Sequence, residues 1–395
     1  MWSLRFANLW LVGFGSYASV YLLLSVLPLY LKRLGLSDIA VGTLLGLMSA
    51  AAFVSRPFAG WLADGLGRKL FVVLGALCLF VASVGLPFVT EAVLFALLRL
   101  LTGVGWGSLT SNANTLAGEL APAGRRGEAI GLYTMAGSVA LAGGPAAGLY
   151  LAAAVNYTAA FWAAAAFSAV ALLASLLLSP TSTQRRSLPR VGLGTLISRD
   201  AIGPALLLLL HSVMYGGLIT FLPLLALSRG LGNPGLFFAI YAIALVPLRG
   251  LAGRLSDRLG RPQVIAPGLL CGAASMLLLA TAGGTAEMLV AGFLFALAMG
   301  FVQPPALAWG LDVGGARRAT AMATMVMAQD LGIILGGVLL GAVASIAGYR
   351  APFALGAVPG LAALGALAVA SRRGRLSAFR RASGVEGAGE RTDRS

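Results

Sequence analysis

The stretch GWLADGLGRK, from Gly60 to Lys69, places an aspartate and two cations between two long apolar runs. A second stretch, GRLSDRLGRP from Gly253 to Pro262, repeats the order Gly, Asp, Gly, Arg after a shift of 193 residues. The same shift superposes residues on both sides of the two stretches, so the chain contains an internal repeat. The superposed pairs are Arg56 with Arg249, Asp64 with Asp257, Gly67 with Gly260, Arg68 with Arg261, Cys78 with Cys271, Gly107 with Gly300 and Glu119 with Asp312.

The composition is that of a membrane protein. The 395 residues are 59% hydrophobic and 10% charged, whereas soluble domains are about a quarter charged. The apolar runs are continuous and long enough to cross a hydrocarbon core of about 30 Å as helices, which disfavours barrel strands. We therefore predict an all-α polytopic protein with twelve transmembrane helices. The predicted spans are 6–31, 39–63, 70–88, 91–118, 127–153, 158–179, 201–226, 234–255, 263–283, 286–311, 319–347 and 351–371.

A polar segment in the middle of the chain separates the repeats. Residues 181–200 contain prolines, arginines, serines and threonines, and we predict a cytoplasmic linker there. The N-terminal half is then residues 1–180 and the C-terminal half is residues 201–371. Residues 372–395 are basic and predict a disordered cytoplasmic tail. Six spans in each half start the two halves on the same side, so the repeats are parallel.

The net charge of +15 follows the predicted topology. With the N-terminus inside, only Lys32, Arg33, Arg229 and Arg350 lie outside, and Arg56, Arg99 and Arg249 lie within spans. The other 21 of the 28 Lys and Arg residues lie on the cytoplasmic side. This bias orients both termini into the cytoplasm of a bacterial cell, with the chain in the inner membrane, and it explains the basic charge without nucleic acid.

The loop stretch resembles the signature between the second and third helices of the major facilitator superfamily. Gly60, Leu62, Asp64, Gly67, Arg68 and Lys69 match that signature, whereas Gly65 stands where the family usually has arginine. The second copy has that arginine, as Arg258. RLLTGVGWG at 99–107 resembles the family's arginine-containing fourth helix. GSVALAGGPAAG at 137–148 resembles a Gly-Pro motif of its drug and metabolite exporters, which run as proton antiporters.

This resemblance implies two six-helix halves that rock around a central site. It also implies that Asp64 latches the cytoplasmic side when the cavity faces outward, while an ordinary turn with topology-setting cations remains the alternative. For GGPAAG, a flexible element at the interface of the halves stands beside simple helix packing. The candidate gating residues are Gly60, Asp64, Gly67, Arg68, Lys69, Gly253, Asp257, Arg258, Gly260, Arg261, Gly144, Pro145 and Gly148.

Three arginines and one aspartate lie inside spans. Arg56 and Arg249 each lie about 12 Å deeper than the aspartate of their loop motif. Such charges are costly in a membrane unless they are paired, hydrated or able to reach its surface. Asp330 is the only carboxylate well inside a span, and the resemblance makes spans two and eleven neighbours. We hypothesise an Arg56–Asp330 pair that protonation or movement breaks; separate solvation or a fixed structural pair are the alternatives.

The repeat is not symmetric at these positions. The shift of 193 residues places Asp330 on Gly137 and Arg99 on Gly292, so each charge belongs to one half only. The fourth-helix arginine of the family has been linked to proton coupling, which makes Arg99 a candidate for that role. The alternative is that Arg99 stays hydrated and tunes a carboxylate elsewhere.

The family builds its substrate cavity from the first, fourth, seventh and tenth helices. Aromatic rings with a few amides suit a medium-sized amphiphile. His211 is alternatively a core residue, and the Tyr and Trp residues are alternatively interfacial anchors. The candidates are Tyr17, Tyr21, Trp106, Asn112, Asn114, His211, Tyr215, Gln303 and Trp309.

These observations predict a monomeric secondary transporter that exports a small organic or amphiphilic compound, in exchange for protons. An uptake symporter for a small metabolite is the alternative. A membrane enzyme or scaffold is a third class, but the sequence has no catalytic cluster, metal-ligand spacing or phosphate loop. No cofactor is expected, and Cys78 and Cys271 are interpreted as packing residues.

Overall fold

The computed structural model describes residues 3–89, 91–120, 126–179, 197–314 and 318–382. Twelve helices in these ranges are long and apolar enough to cross a membrane, which confirms the predicted fold class. The helices are α1 (Leu4–Leu24), α2 (Val26–Arg33), α3 (Asp38–Leu66), α4 (Arg68–Gly85), α5 (Ala92–Glu119), α6 (Arg126–Ala154), α7 (Tyr157–Leu176), α8 (Ile202–Arg229), α9 (Pro234–Leu259), α10 (Arg261–Thr281), α11 (Thr285–Val313), α12 (Arg318–Ala347) and α13 (Arg350–Ala382).

Two predicted boundaries differ from the structure. The first predicted span consists of two helices, because the helix is interrupted at Ser25 between α1 and α2. The last helix, α13, continues to Ala382, so residues 372–382, predicted to be disordered, are helical. Residues 181–196 of the predicted linker and residues 383–395 of the predicted tail lie outside the described residues.

The two loop motifs have the same backbone turn. Gly67 ends α3 and precedes α4 with φ 93°, and Gly260 ends α9 and precedes α10 with φ 96°. Residues with a β-carbon rarely adopt such positive φ values, so glycine is required at both turns. We call the end of the bundle that carries these two turns the motif end, and the other end the opposite end.

The two halves meet along two helix pairs. Helix α3 packs against α12, and α6 packs against α9. Both pairs contain a glycine that lets the backbones approach closely. A β-carbon on Gly42 of α3 would lie 2.0 Å from the carbonyl oxygen of Gly337 on α12. A β-carbon on Gly235 of α9 would lie 2.4 Å from the Cα of Ala146 on α6.

A polar cluster joins the halves at the opposite end. The Oδ1 atom of Asp38, at the start of α3, lies 3.0 Å from Lys32 Nζ and accepts a 2.9 Å hydrogen bond from the Tyr349 hydroxyl. Tyr349 lies between α12 and α13, so this bond links the two halves. Burial and the neighbouring Asp38 carboxylate raise the pKa of Tyr349, which keeps the hydroxyl protonated as a donor at neutral pH. The halves are therefore held together at the opposite end.

The close approach at Gly42 makes a prediction about stability. We expect Gly42→Ala to destabilise the described arrangement by about 1–3 kcal/mol, because its β-carbon would overlap backbone that no rotamer change can move. The measurement is the thermal unfolding midpoint in detergent. Gly250→Ala is the control, since a β-carbon at this position of α9 meets nothing within 4 Å and helix propensity alone favours alanine by about 0.5–1 kcal/mol. Equal midpoints for the two variants would contradict the proposed packing.

Candidate functional site

A cavity lies between the two halves and reaches the motif end. Its wide part has a volume of about 1040 Å³ and is lined from Tyr17 and Trp106 to Gly118 and Glu119 at the end of α5. A narrower inner part of about 200 Å³ continues toward the opposite end, as far as Leu27 and Gly337. Because the close contacts at Gly42 and Asp38 join the halves beyond it, the cavity belongs to a state that faces the motif end.

The N-terminal half gives the cavity an aromatic wall. The rings of Tyr17 and Trp106 meet edge to face with centroids 5.0 Å apart, and Tyr21 lies 5.8 Å from Tyr17. Tyr17 also covers Gly137 of α6, where a β-carbon would lie 3.2 Å from the tyrosine ring. A flat wall of this kind suits the apolar or aromatic body of a ligand.

The structure brings Arg56 and Asp330 together across the two halves. Arg56 Nε on α3 lies 3.0 Å from Asp330 Oδ2 on α12, and both residues line the inner cavity. The only aligned hydrogen bond of the pair is long, at 3.5 Å from Arg56 Nη2 to Asp330 Oδ1. The Asp330 side chain is 8% exposed, so its charge depends on this partner. The predicted pair is present, and its hydrogen-bond geometry is loose.

Arg249, the repeat counterpart of Arg56, also reaches across the halves but finds neutral partners. Its Nη1 atom on α9 donates to Ser138 Oγ on α6 over 3.5 Å, and its Nη2 atom donates to Gln303 Oε1 over 3.4 Å. Gln303 in turn donates to Gln329 Oε1 over 3.0 Å. No carboxylate among the described side chains forms an ion pair with Arg249, although it lines both parts of the cavity.

Arg99 lines the inner part of the cavity from α5. Its Nη2 atom donates to the carbonyl oxygen of Leu45 over 3.2 Å and lies 3.3 Å from the sulfur of Met48, both on α3. Within the described part of the chain Arg99 has no ion-pair partner. The contacts fix the position of this guanidinium and leave its charge uncompensated.

Six of the nine predicted cavity residues line the cavity: Tyr17, Tyr21, Trp106, Asn114, Tyr215 and Gln303. The residues that line these two parts of the cavity do not include Asn112, His211 and Trp309, whose role in binding stays a prediction. Asn112 points away from the cavity face of α5 and donates to the carbonyl of Ser108 in its own helix. His211 is 1% exposed and stacks on Phe295, and Trp309 packs against a core cluster of the C-terminal half.

The sequence analysis also missed residues that line the cavity. Tyr241 on α9 and Gln329 on α12 are both lining residues, but these helices are outside the set that the resemblance assigns to the cavity. One signal was available for Gln329, because a glutamine next to Asp330 is unusual in an apolar span. Asp38 of the opposite-end cluster was missed because its partner in the other half, Tyr349, is far away in the sequence.

The loop motifs hold matching ion pairs at the motif end. Arg68 Nε lies 2.8 Å from Glu119 Oε1, and Arg261 Nε lies 3.0 Å from Asp312 Oδ2. The two pairs superpose under the shift of 193 residues. The first connects the start of α4 to the end of α5, and the second connects the start of α10 to the end of α11. Arg261 also donates to Asp257 and, over 2.7 Å, to Ser256.

The remaining gating candidates are placed differently. Lys69 donates to the carbonyl of Leu176 over 3.0 Å, and Arg258 is exposed. A β-carbon on Gly60 or Gly253 would meet nothing within 4 Å, so neither glycine is needed for close packing. The side chain of Asp64 lies outside the described residues, and its role as a latch stays a prediction.

The GGPAAG segment contacts both halves. A β-carbon on Gly148 would lie 2.0 Å from the carbonyl oxygen of Leu22, and one on Gly144 would lie 3.0 Å from the Leu22 nitrogen, both on α1 of the same half. Ala146, between them and next to the buried Pro145, faces Gly235 of the other half. The segment thus lies at the interface, with its glycines against α1.

The described residues contain no group of three or more His, Cys, Asp or Glu side chains that would hold a metal ion. The cavity wall presents aromatic rings, amides and guanidinium groups, which are suited to binding organic groups.

The motif-end contacts of Arg261 make a second prediction. We expect Arg261→Ala to lower the thermal unfolding midpoint by about 2–4 °C, because three partly solvated contacts are together worth about 1 kcal/mol. Arg258→Ala is the matched control, since Arg258 lies in the same loop motif and makes no hydrogen bond or ion pair to the described side chains. A midpoint unchanged in Arg261→Ala, or lowered equally in both variants, would contradict this role.

The chain is similar in sequence to several curated proteins. An MFS-type transporter of Methanocaldococcus jannaschii, MJ1560, is 23% identical, over 89% of this chain and 94% of its own. The multidrug resistance protein MdtG of Citrobacter koseri is 27% identical, over 68% of this chain and 70% of its own. The quinolone resistance protein NorA of Staphylococcus aureus is 23% identical, over 85% of this chain and 87% of its own.

Solved structures have the same fold. The nucleoside transporter NupG superposes with a TM-score of 0.77 at 18% identity, over 92% of this chain and 99% of its own. A peptide transporter, POT, superposes with a TM-score of 0.78 at 17% identity, over 94% of this chain and 95% of its own. The family model of the Major Facilitator Superfamily matches residues 9–309 and, in a second match, residues 205–387. The chain is therefore a multi-pass membrane transporter that belongs to the Major Facilitator Superfamily.

Proposed function

We propose that this transporter exports a small organic or amphiphilic compound in exchange for protons. The observation that carries the proposal is the Arg56–Asp330 pair, which joins the two halves at the wall of the cavity. A carboxylate that is paired in one state and separated in another binds protons with different affinity in the two states. That difference is what coupling to a proton gradient requires.

Alternating access requires opposite movements of the halves at the two ends of the bundle. The positive-inside bias of the sequence makes the motif end the cytoplasmic end of a protein in the bacterial inner membrane, with both termini in the cytoplasm. The cavity then faces the cytoplasm and is ready to load cargo from that side. Opening toward the outside requires the halves to separate at Gly42 and Asp38 and to close at the motif end.

In the exchange step, a proton on Asp330 removes its attraction to Arg56. The halves then part at this point more easily, and the cavity can change sides. The resemblance to MdtG and NorA, which are named for multidrug and quinolone resistance, favours outward transport of the cargo. Uptake remains the second candidate, because solved neighbours of the same fold include nucleoside and peptide transporters.

The role of Asp330 is tested by Asp330→Asn in proteoliposomes. We expect a loss of at least tenfold in transport driven by a pH gradient, because an amide cannot take up and release a proton. Downhill exchange of the same cargo without a gradient should persist. Glu91→Gln is the control, since it makes the same change at an exposed residue before α5. Wild-type pH dependence in Asp330→Asn would exclude Asp330 as the coupling group.

The direction of transport is tested separately, with the orientation of the protein in the liposomes determined by protease accessibility of the termini. For an exchanger, we expect that cargo moves opposite to an imposed proton gradient. Movement of cargo and protons in the same direction would establish the uptake symporter instead. A panel of fluorescent dyes and metabolites supplies the cargo, and empty liposomes supply the background.

A further inference from the structure

We propose that Arg249, with Ser138 and Gln303, is a subsite for the carboxylate of an amphiphilic organic acid, which is the cargo class of this transporter. The inference rests on the proposed transport function and names its substrate class. It begins from a broken symmetry between two arginines that the repeat makes equivalent.

The repeat places a carboxylate against one arginine and none against the other. Arg56 and Arg249 superpose, and so do the positions of Asp330 and Gly137. Arg56 therefore meets Asp330 at 3.0 Å, whereas Arg249 faces the part of α6 where Gly137 has no side chain. The position of Asp330 therefore has no charged side chain at its counterpart, Gly137.

The neutral partners of Arg249 hold its guanidinium without neutralising it. Both of its hydrogen bonds are long, at 3.5 Å to Ser138 and 3.4 Å to Gln303. A guanidinium group presents a planar set of donors that matches a carboxylate with two parallel bonds. Ser138, a residue that is 7% exposed and lines the cavity, adds its hydroxyl as a further donor at the same place.

The charges of the whole cavity wall favour an anion. The described lining includes three arginines, Arg56, Arg99 and Arg249, but only two carboxylates. Asp330 is paired with Arg56, and Glu119 lies at the motif end, paired with Arg68. Because a buried charge is costly without a counter-ion, an anionic ligand would gain from the two arginines that lack one.

The aromatic wall gives the rest of the ligand its place. Tyr17 lies over Gly137, the residue next to Ser138, and its ring contacts the rings of Tyr21 and Trp106. A ligand whose carboxylate bonds to Arg249 therefore has its body beside these rings. The arrangement selects a molecule with one acidic end and an aromatic or apolar body.

Binding to the purified protein in detergent tests this inference without any gradient. The probes are dansylglycine, dansylglycinamide and dansylethylenediamine, which share one fluorophore and carry a carboxylate, a neutral amide and an ammonium group. We expect dansylglycine to bind at least tenfold more tightly than the other two. Arg249→Gln and Ser138→Asp should each abolish this preference, the first by removing the cation and the second by supplying an internal carboxylate.

Two further variants separate charge at the site from charge in general. Arg254→Gln makes the same change on an exposed face of α9, outside the lining of the cavity, and should keep the preference. Arg249→Lys should keep part of it, because an ammonium retains the charge but not the planar set of donors. Thermal scans of each variant by far-ultraviolet circular dichroism report whether it is folded.

The contrary outcomes are distinct. Equal or tighter binding of the amide or ammonium probe, no saturable binding of dansylglycine, or a preference that survives in folded Arg249→Gln would each overturn the subsite. Failure of the transport proposal is visible elsewhere, as an absence of coupled flux in liposomes with the binding preference intact.

Discussion

A charge within a membrane-spanning helix must be neutralised or hydrated, and this constraint organises the interface between the two halves. Arg56 satisfies it through Asp330 of the other half, over 3.0 Å. The pair therefore stabilises the contact between α3 and α12 only while both charges are present, and the loose alignment of its hydrogen bond leaves it easy to separate. An apolar contact in the same place would hold the halves together equally well at every pH, because it contains no group that can bind a proton.

The repeat is symmetric in the loop motifs at the motif end, and it is not symmetric in the wall of the cavity. The turns at Gly67 and Gly260 and the ion pairs Arg68–Glu119 and Arg261–Asp312 are matched in the two halves. The cavity wall is different, because the aspartate opposite Arg56 has glycine as its counterpart opposite Arg249. At these two equivalent positions the duplicated scaffold thus carries one ion pair and one cation that has no counter-ion among the described side chains, and the two positions are suited to different tasks.

The sequence predicts the fold and the central pair but not the orientation of individual side chains. Charges are so rare in the spans that Arg56 and Asp330 could be matched by their depth, at 1.5 Å per residue, once the resemblance made spans two and eleven neighbours. Asn112 and Asn114 show the limit, since two residues on a helix differ by about 200° and only the packing decides which one faces the cavity. Asn114 lines it, and Asn112 bonds to its own helix. The Asp38–Tyr349 bond could not be predicted, because it joins the start of α3 to a loop residue 311 positions later in the chain.

The glycine contact of α3 and α12 at the opposite end has a mechanical consequence. Gly42 and Gly337 touch through bare backbone, so neither residue contributes a side chain that the helices must move past each other when they part. The surfaces of the two helices are smooth at this contact, so one half can rotate relative to the other there. Opening at this end must break polar bonds such as the one between Tyr349 and Asp38, and it must also separate the buried apolar residues of the two halves that share one core cluster. We therefore expect single substitutions at either kind of contact to change how easily this end opens.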